Sequence, residues 1–197
     1  MLVKLASVAP HDNQCCNVAG QCLSVDAMKE IVSFCAREGL VLLADEVYQE
    51  NVYTQARGFV SFRKVRPSIQ ALSVTVLWLA NKCMAQVAHT MATSGDIKEE
   101  EAARTVEMIS FHSTSKGFIG ECGIRGGYFE LYNIAPVVKA NLYKLASLTL
   151  CSNTHGQLSV GLMVQPPKAG SPSFEKYDTE KNAILDSLKR RAALVEK

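Results

Sequence analysis

The residues around one lysine in the middle of the chain are suited to binding a phosphate group. Lys116 follows an apolar stretch and lies in the sequence His-Ser-Thr-Ser-Lys-Gly. A lysine in that position is usually a solvated surface group, but Ser113 offers a hydroxyl and Arg125 a planar guanidinium for two phosphate oxygens. Four glycines that let the backbone approach a ligand surround Arg125, namely Gly120, Gly123, Gly126 and Gly127. Their order matches neither a Walker A loop nor GxGxxG, so the pattern favours a phosphate-bearing cofactor whose carbonyl reacts with lysine.

A second group of candidates lies around a predicted buried strand. Asp45 follows the apolar run of residues 40–44, and Tyr48 comes three residues later. Considered alone, the two residues are explained more simply as an aspartate that starts a helix and a tyrosine at the edge of the core. Asn17 precedes Asp45 by 28 residues, so one helix and one strand could return both side chains to the same edge of a sheet.

The spacing of apolar residues predicts the elements that would hold these candidates. A helix that begins at Ser24 and ends before Gly39 would bury one face, formed by Met28, Ile31, Val32 and Cys35. Continuous apolar runs predict strands covered on both faces at residues 40–44, 106–111 and 127–131. Further amphipathic helices are predicted at residues 138–148, 158–164 and 174–197. The pattern indicates an α/β fold with polar residues at the strand ends, where open α/β sheets bind ligands.

Composition and charge narrow the class of protein. The 197 residues are 48% hydrophobic, which is typical of one globular domain, and the net charge of +2 is spread along the chain and does not suggest nucleic-acid binding. The most apolar stretch, residues 69–80, is shorter than the roughly 20 residues that a membrane span needs. Seven cysteines without a CxxC pair favour reduced thiols inside a cell, and the four histidines lack metal-ligand spacing, so no metal is expected.

Four segments of the sequence together form a specific pattern. They are Asn-Val-Ala-Gly-Gln at 17–21, Leu-Leu-Ala-Asp-Glu-Val-Tyr-Gln-Glu-Asn-Val-Tyr at 42–53, Ser-Phe-His-Ser-Thr-Ser-Lys-Gly at 110–117 and Gly-Glu-Cys-Gly-Ile-Arg-Gly-Gly-Tyr at 120–128. This set resembles the fold-type-I pyridoxal-phosphate aminotransferases, and within that class it is most similar to the alanine aminotransferases. The stretch from residue 142 to residue 197 resembles the same subfamily.

The resemblance implies that the cofactor is pyridoxal 5′-phosphate and gives two residues central roles. Lys116 would be the catalytic residue, which binds the aldehyde carbon of the cofactor and then moves the Cα proton of the substrate. Asp45 would pair with the pyridine nitrogen and keep it protonated, so that the ring can accept electrons.

The remaining cofactor contacts are implied in the same way. Tyr48 and Asn17 would hydrogen-bond the 3′-oxygen and stabilise its anionic form, while Arg125 and Ser113 would hold the phosphate. Asn17 lies in Asn-Val-Ala-Gly where the family has Asn-Pro-Thr-Gly, so the rigid φ of proline does not constrain this turn.

The resemblance also implies a domain organisation. Residues 1–173 would be a partial large domain of the aspartate-aminotransferase-like fold, a mostly parallel sheet flanked by helices. Residues 174–197 would start the long helix that leads to a small domain, which this sequence lacks together with the amino-terminal part of the family. Residues 67–103 match nothing in the family, and we interpret them as an insertion, either a surface excursion or translated non-coding sequence.

The implied activity is transfer of an amino group from L-alanine to 2-oxoglutarate, which yields pyruvate and L-glutamate and would be impaired by the missing parts. Whether the chain alone is an enzyme stays open. The alternatives are a glutamate-glyoxylate aminotransferase and a non-catalytic fragment that binds the cofactor or joins full-length subunits. The expected partners are amino acid and 2-oxo acid substrates and a homodimer subunit, without nucleic acid or membrane. A cytoplasmic location is expected, with mitochondrion and peroxisome as alternatives.

Overall fold

The computed structural model of the chain describes residues 2–6, 23–53, 58–65, 75–78, 105–148 and 152–195, of which 2–6, 75–78 and 195 are described by their backbone alone. Asn17 lies outside the described residues. The strands are β1 Leu2–Ala6, β2 Val41–Asp45, β3 Thr75–Trp78, β4 Met108–Ser113 and β5 Gly127–Tyr132. The helices are α1 Val25–Arg37, α2 Phe62–Val65, α3 Pro136–Ser147, α4 Thr154–Val164 and α5 Phe174–Val195. A short 3-10 helix spans Cys122–Ile124.

The described strands form one sheet in the order β1-β2-β4-β5-β3. β1, β2 and β4 pair in parallel, whereas β5 is antiparallel to both β4 and β3. Four of the five strands therefore run in the same direction, which confirms the expected mostly parallel sheet with β5 as its exception. β3, from the stretch 67–103 that we interpret from the sequence as an insertion, pairs with β5 at one edge of the sheet.

Helix α1 forms where the apolar spacing predicts it and covers the sheet. The Oγ atom of Ser24 accepts a hydrogen bond from the backbone N–H of Ala27 at 3.2 Å, a cap that stabilises a helix by about 1 kcal/mol. Gly39 follows the helix with a φ of 60°, a left-handed conformation that favours glycine. The core beneath α1 consists of Met28, Val32, Cys35, Leu40, Leu42, Ala44, Phe62, Val106 and Met108.

Burial departs from the sequence-based expectation in three places. Along β2, Leu42 and Ala44 are buried while their neighbours are half-buried, so the described residues cover one face of this strand more fully than the other. In α3 no residue is buried, and Leu145 is 64% exposed. In α5, Tyr177 and Leu188 are half-buried as the predicted face requires, but Ile184 is 44% exposed.

Other expectations concern membranes, metals and thiols. None of the described helices is long and apolar enough to cross a membrane. The described part of the chain contains no group of three or more histidine, cysteine or acidic side chains that could hold a metal ion. In the same ranges Cys35 and Cys122 are free thiols, one buried and one exposed.

Candidate active site

The ends of two adjacent parallel strands bring several predicted site residues to one edge of the sheet. Asp45 is the last residue of β2 and pairs in register with Phe111 of β4. Ser113 is the last residue of β4. Short turns that follow the two strands carry Tyr48 and Lys116. Because the carboxyl ends of parallel strands meet at one edge, the backbone gathers these residues without any long-range loop.

Hydrogen bonds tie the segment after β4 to the loop that carries Arg125. The carbonyl oxygen of Gly126 accepts three of them, from the hydroxyl of Ser113 and from the hydroxyl and backbone N–H of Thr114, each at 3.1 Å. Thr114 is fully buried. The backbone N–H of Ser115 donates to the Ser113 hydroxyl at 3.1 Å. The segment that ends in Ser113 and the loop that carries Arg125 are therefore held together.

Arg125 has an unusual backbone conformation that its surroundings must maintain. Its φ of 60° and ψ of 47° are left-handed, a conformation that costs a non-glycine residue about 1 kcal/mol. Asn153 donates from Nδ2 to the carbonyl of Ile124, and its Oδ1 caps α4 by accepting from the His155 N–H at 3.1 Å. The exposed guanidinium donates to the Cys122 carbonyl at 3.1 Å. Sequence reasoning gave Asn153 no role, although an asparagine before a helical pattern is a recognisable N-cap signal.

Two glycines let α4 pack directly against this loop. A Cβ atom on Gly126 would lie 2.8 Å from the Gly156 carbonyl oxygen and 3.0 Å from Cγ2 of Val160. A Cβ atom on Gly156 would lie 3.0 Å from the Arg125 carbonyl oxygen. Close backbone contact is possible only because neither residue has a side chain.

Lys116 lies at the rim of a cavity. Its side chain is exposed and lines the cavity together with His112 and with Tyr177 and Lys181 of α5. The next residue, Gly117, has a φ of 66°, and a Cβ atom there would lie 3.2 Å from the carbonyl oxygen of Val47. The turn that bears Lys116 thus packs against the turn that follows Asp45.

Two polar atoms at the strand ends are buried without a hydrogen-bond partner among the described residues, Oδ1 of Asp45 and Nε2 of His112. The His112 ring stacks on Tyr128, with centroids 5.7 Å apart, and its Nδ1 accepts the Ser113 N–H at 2.8 Å. Burial lowers the pKa of His112, which favours the neutral ring. An unpaired buried polar group costs about 1–3 kcal/mol, so this arrangement fits a ligand that supplies complementary groups. The Asp45 carboxylate fits a cationic ring nitrogen, as in pyridoxal phosphate.

Glu46 is a structural carboxylate that sequence reasoning missed. It accepts hydrogen bonds from the Ser61 hydroxyl at 2.9 Å, the Phe62 N–H at 2.8 Å and the Ser110 hydroxyl at 2.8 Å. These bonds attach the segment around α2 to β4. Burial raises the pKa of Glu46 above its ordinary value of 4.5, although the hydrogen bonds oppose this shift. The position of Glu46 directly after Asp45 did not reveal this role, because its partners are distant in sequence.

We expect Glu46→Gln to change how stability depends on pH. Because the pKa of Glu46 is higher in the folded chain than in the unfolded chain, the folded state binds the proton more tightly. Its contribution is present below pH 4.5 and is lost as the pH rises through the folded pKa. Glutamine cannot ionise. The free energy of unfolding of the variant should therefore rise relative to that of the parent as the pH rises. Urea unfolding at several pH values measures this difference, with the exposed Glu180→Gln as control. A variant that loses stability relative to the parent as the pH rises would contradict the expectation.

The fold and these motifs define a class of protein. The family model for aminotransferase class I and II matches residues 12–194, and the chain belongs to this family. The probable mitochondrial alanine aminotransferase of Dictyostelium discoideum is 46% identical over 180 residues, which are 91% of this chain and 28% of that protein. Mitochondrial alanine aminotransferase 1 of Arabidopsis thaliana is 43% identical over 180 residues, again 91% of this chain and 28% of the relative.

A relative with another named activity is nearly as similar. Glutamate–glyoxylate aminotransferase 1 of Arabidopsis thaliana is 41% identical over 179 residues, which are 91% of this chain and 31% of that protein. The chain therefore spans 28% to 31% of the length of these relatives. Among solved structures, Pyrococcus protein A1 is similar with a TM-score of 0.51 and 18% identity, over 93% of this chain and 35% of that chain. The expected aminotransferase fold is confirmed.

Proposed function

We propose that this chain is part of an alanine aminotransferase that uses pyridoxal 5′-phosphate and moves the amino group of L-alanine to 2-oxoglutarate. Residues 1–173 would then belong to the large domain, and residues 174–197 to the helix that leads towards a small domain. One observation carries the proposal. The buried oxygen of Asp45 that lacks a partner among the described residues lies at the strand end next to the turn of Lys116. Similarity to alanine aminotransferases supports the choice of reaction.

Two side chains would perform the central chemistry. The bound cofactor would supply an electron-withdrawing ring that stabilises the charge left on the substrate when its Cα proton departs. Asp45 would hold the ring nitrogen in its protonated form, since its buried and unpartnered Oδ1 atom gains from a cationic partner. Lys116 would take the proton from the substrate Cα on its Nζ atom and pass it on to the bound cofactor, because its long exposed side chain can reach a ligand at the strand ends.

The other predicted residues would bind and orient the cofactor. Arg125 and Ser113 would hold the phosphate, and the hydrogen bonds through Gly126 keep these two residues beside each other. Tyr48, in the turn after Asp45, would donate its phenol hydrogen to the 3′-oxygen. Asn17 would share this contact.

A glutamate–glyoxylate aminotransferase is the second candidate, and the 41% identity to such an enzyme of Arabidopsis thaliana favours it. Both candidates act on an amino acid and a 2-oxo acid and would use the same cofactor-binding residues. The partner subunit of a homodimer is part of either proposal. Comparing pyruvate with glyoxylate as the amino acceptor from glutamate, in a protein extended to the length of the relatives, separates the two reactions.

We expect pyridoxal phosphate to form one covalent adduct with this chain, on Lys116. The aldehyde reacts with an unprotonated amine, and the neighbouring phosphate and ring contacts would concentrate the cofactor at this lysine alone. Incubation of the full chain with pyridoxal phosphate, reduction with borohydride and peptide mass spectrometry locate the adduct.

Lys116→Arg should lose the adduct, because arginine keeps the positive charge but lacks a reactive amine. Lys144→Arg, at an exposed position of α3, is the matched control and should keep it. Adducts spread over surface lysines, or an unchanged pattern in Lys116→Arg, would refute the proposed site.

A further inference from the structure

One lysine of α5 joins the two turns that carry the candidate site. The Nζ atom of Lys181 lies 3.1 Å from Oε2 of Glu50 and 5.1 Å from the centroid of the Phe118 ring. Glu50 closes the turn after β2, two residues beyond Tyr48. Phe118 lies two residues beyond Lys116. A single ammonium group therefore contacts both turns, from a helix that follows them in sequence.

This bridge joins separate elements, as Arg63–Glu130 also does between α2 and β5, and so differs from an ion pair within one helix. The pair Lys176–Glu180 lies within α5, and both of its side chains are largely exposed. The side chain of Lys181 is only 26% exposed and reaches the edge of the sheet. Partial burial strengthens both an ion pair and a cation–π contact, because water competes less for the ammonium group.

The same two turns also touch each other directly. A Cβ atom on Gly117 would meet the Val47 carbonyl oxygen at 3.2 Å and Oδ1 of Asn51 at 3.5 Å. The backbones of the two turns are therefore in close contact, and Lys181 of α5 contacts both turns. Lys181 and Lys116 line one cavity, so a change at the bridge acts on the surroundings of the reactive lysine.

We infer that Lys181 is a positioning residue, which fixes the turn of Lys116 against the turn after Asp45 and couples that turn to the docking of α5. The inference rests on the proposed function of Lys116. Lys181 makes no bond to the cofactor in this proposal. It restricts the conformations of the turn, so that the Lys116 amine spends more of its time where the cofactor aldehyde is held.

The test compares the rate at which pyridoxal phosphate becomes attached to Lys116, measured by borohydride quenching at successive times and peptide mass spectrometry. Lys181→Met keeps the length of the side chain and removes its charge, and we expect it to slow attachment about fivefold, the size of effect typical of one partly exposed bridge. Lys181→Arg retains both contacts and should restore the rate to within about twofold. Lys189→Met, an exposed change on the same helix, is the matched control.

Two further readouts separate positioning from a general loss of structure. Salt should slow attachment in the parent towards the rate of Lys181→Met, while the variant itself should respond less, because salt screens the Glu50 pair. Without cofactor, the urea unfolding transition of Lys181→Met should remain as cooperative as that of the parent, whereas a general loss of structure would abolish the transition. If Lys181→Met fails to fold, Glu50→Gln breaks the same bridge from the other side and should reproduce the slower rate.

The outcomes distinguish the two proposals. Absence of an adduct on Lys116 in the parent chain would refute the proposed function. An adduct on Lys116 that forms equally fast in the parent, Lys181→Met and Glu50→Gln would leave that function intact and overturn the positioning role. A slower rate in both variants, with rescue by Lys181→Arg, supports it.

Discussion

Asp45→Asn is expected to weaken binding of pyridoxal phosphate by about 10- to 100-fold while leaving the cofactor-free chain at least as stable as the parent. One carboxylate oxygen of Asp45 is buried without a partner among the described residues. Asparagine has nearly the same shape but no charge, so it cannot hold a protonated ring nitrogen. A hydrogen bond to a charged group contributes about 1.5–3 kcal/mol, which sets the expected loss of affinity. Without cofactor, the substitution removes a charge that has one oxygen buried and without a partner among the described residues, which relieves a desolvation cost.

Equilibrium dialysis against pyridoxal phosphate measures the first effect, and urea unfolding without cofactor measures the second. Asp186→Asn is the control, since Asp186 is exposed on α5 and should affect neither quantity. Equal affinity of Asp45→Asn and Asp186→Asn for pyridoxal phosphate would show that Asp45 does not contribute to cofactor binding. A less stable cofactor-free Asp45→Asn would show that the carboxylate stabilises the fold by itself.

The elements that surround Asp45 could be predicted because their signals are local. The helical spacing of Met28, Val32 and Cys35 gave α1 its buried face, and Ser24 caps it as its position before the helix predicts. The apolar run before Asp45 predicted β2. Whether both faces of β2 are covered depends on neighbours that are distant in sequence, and in the described residues its burial alternates.

Helix α3 shows what the spacing of apolar residues cannot predict. The pattern that includes Leu145 and Leu148 predicts a helix, and the helix forms. The two leucines are nevertheless 64% and 77% exposed. A period of 3.6 residues reports which side of a helix is apolar, and it carries no information on what packs against that side.

The same distinction between local and long-range signals applies to the candidate site. Asp45 and Ser113 could be placed at one edge of the sheet because each ends an apolar run, and the structure puts those strands side by side. Their roles remain predictions. The bonds of Glu46 to Ser110 and the contact of Gly126 with Gly156 link residues far apart in sequence, so no local pattern could reveal them.

Gly126→Ala is expected to destabilise the chain by about 1–3 kcal/mol and to weaken binding of the cofactor phosphate. The added Cβ would lie 2.8 Å from the Gly156 carbonyl oxygen, a backbone atom that can move only with α4. Overpacking of this kind typically has that cost. To relieve this steric overlap, either α4 must move away from the loop or the Gly126 carbonyl must turn. A turn of the carbonyl would break its hydrogen bonds with Ser113 and Thr114. Arg125, the preceding residue, would lose its position in either case.

Gly161 provides a control in the same pair of elements, because it lies in α4 and a Cβ atom there would meet nothing within 4 Å. Gly161→Ala should therefore stabilise the chain, by about 0.5–1 kcal/mol, through the higher helix propensity of alanine. Urea unfolding and dialysis against pyridoxal phosphate give both quantities for each variant. The two substitutions add the same methyl group, so opposite signs of the stability change would locate the effect in the close contact between Gly126 and α4. Two stabilised variants would mean that this contact can relax without cost, and Arg125 would then need another source of its fixed position.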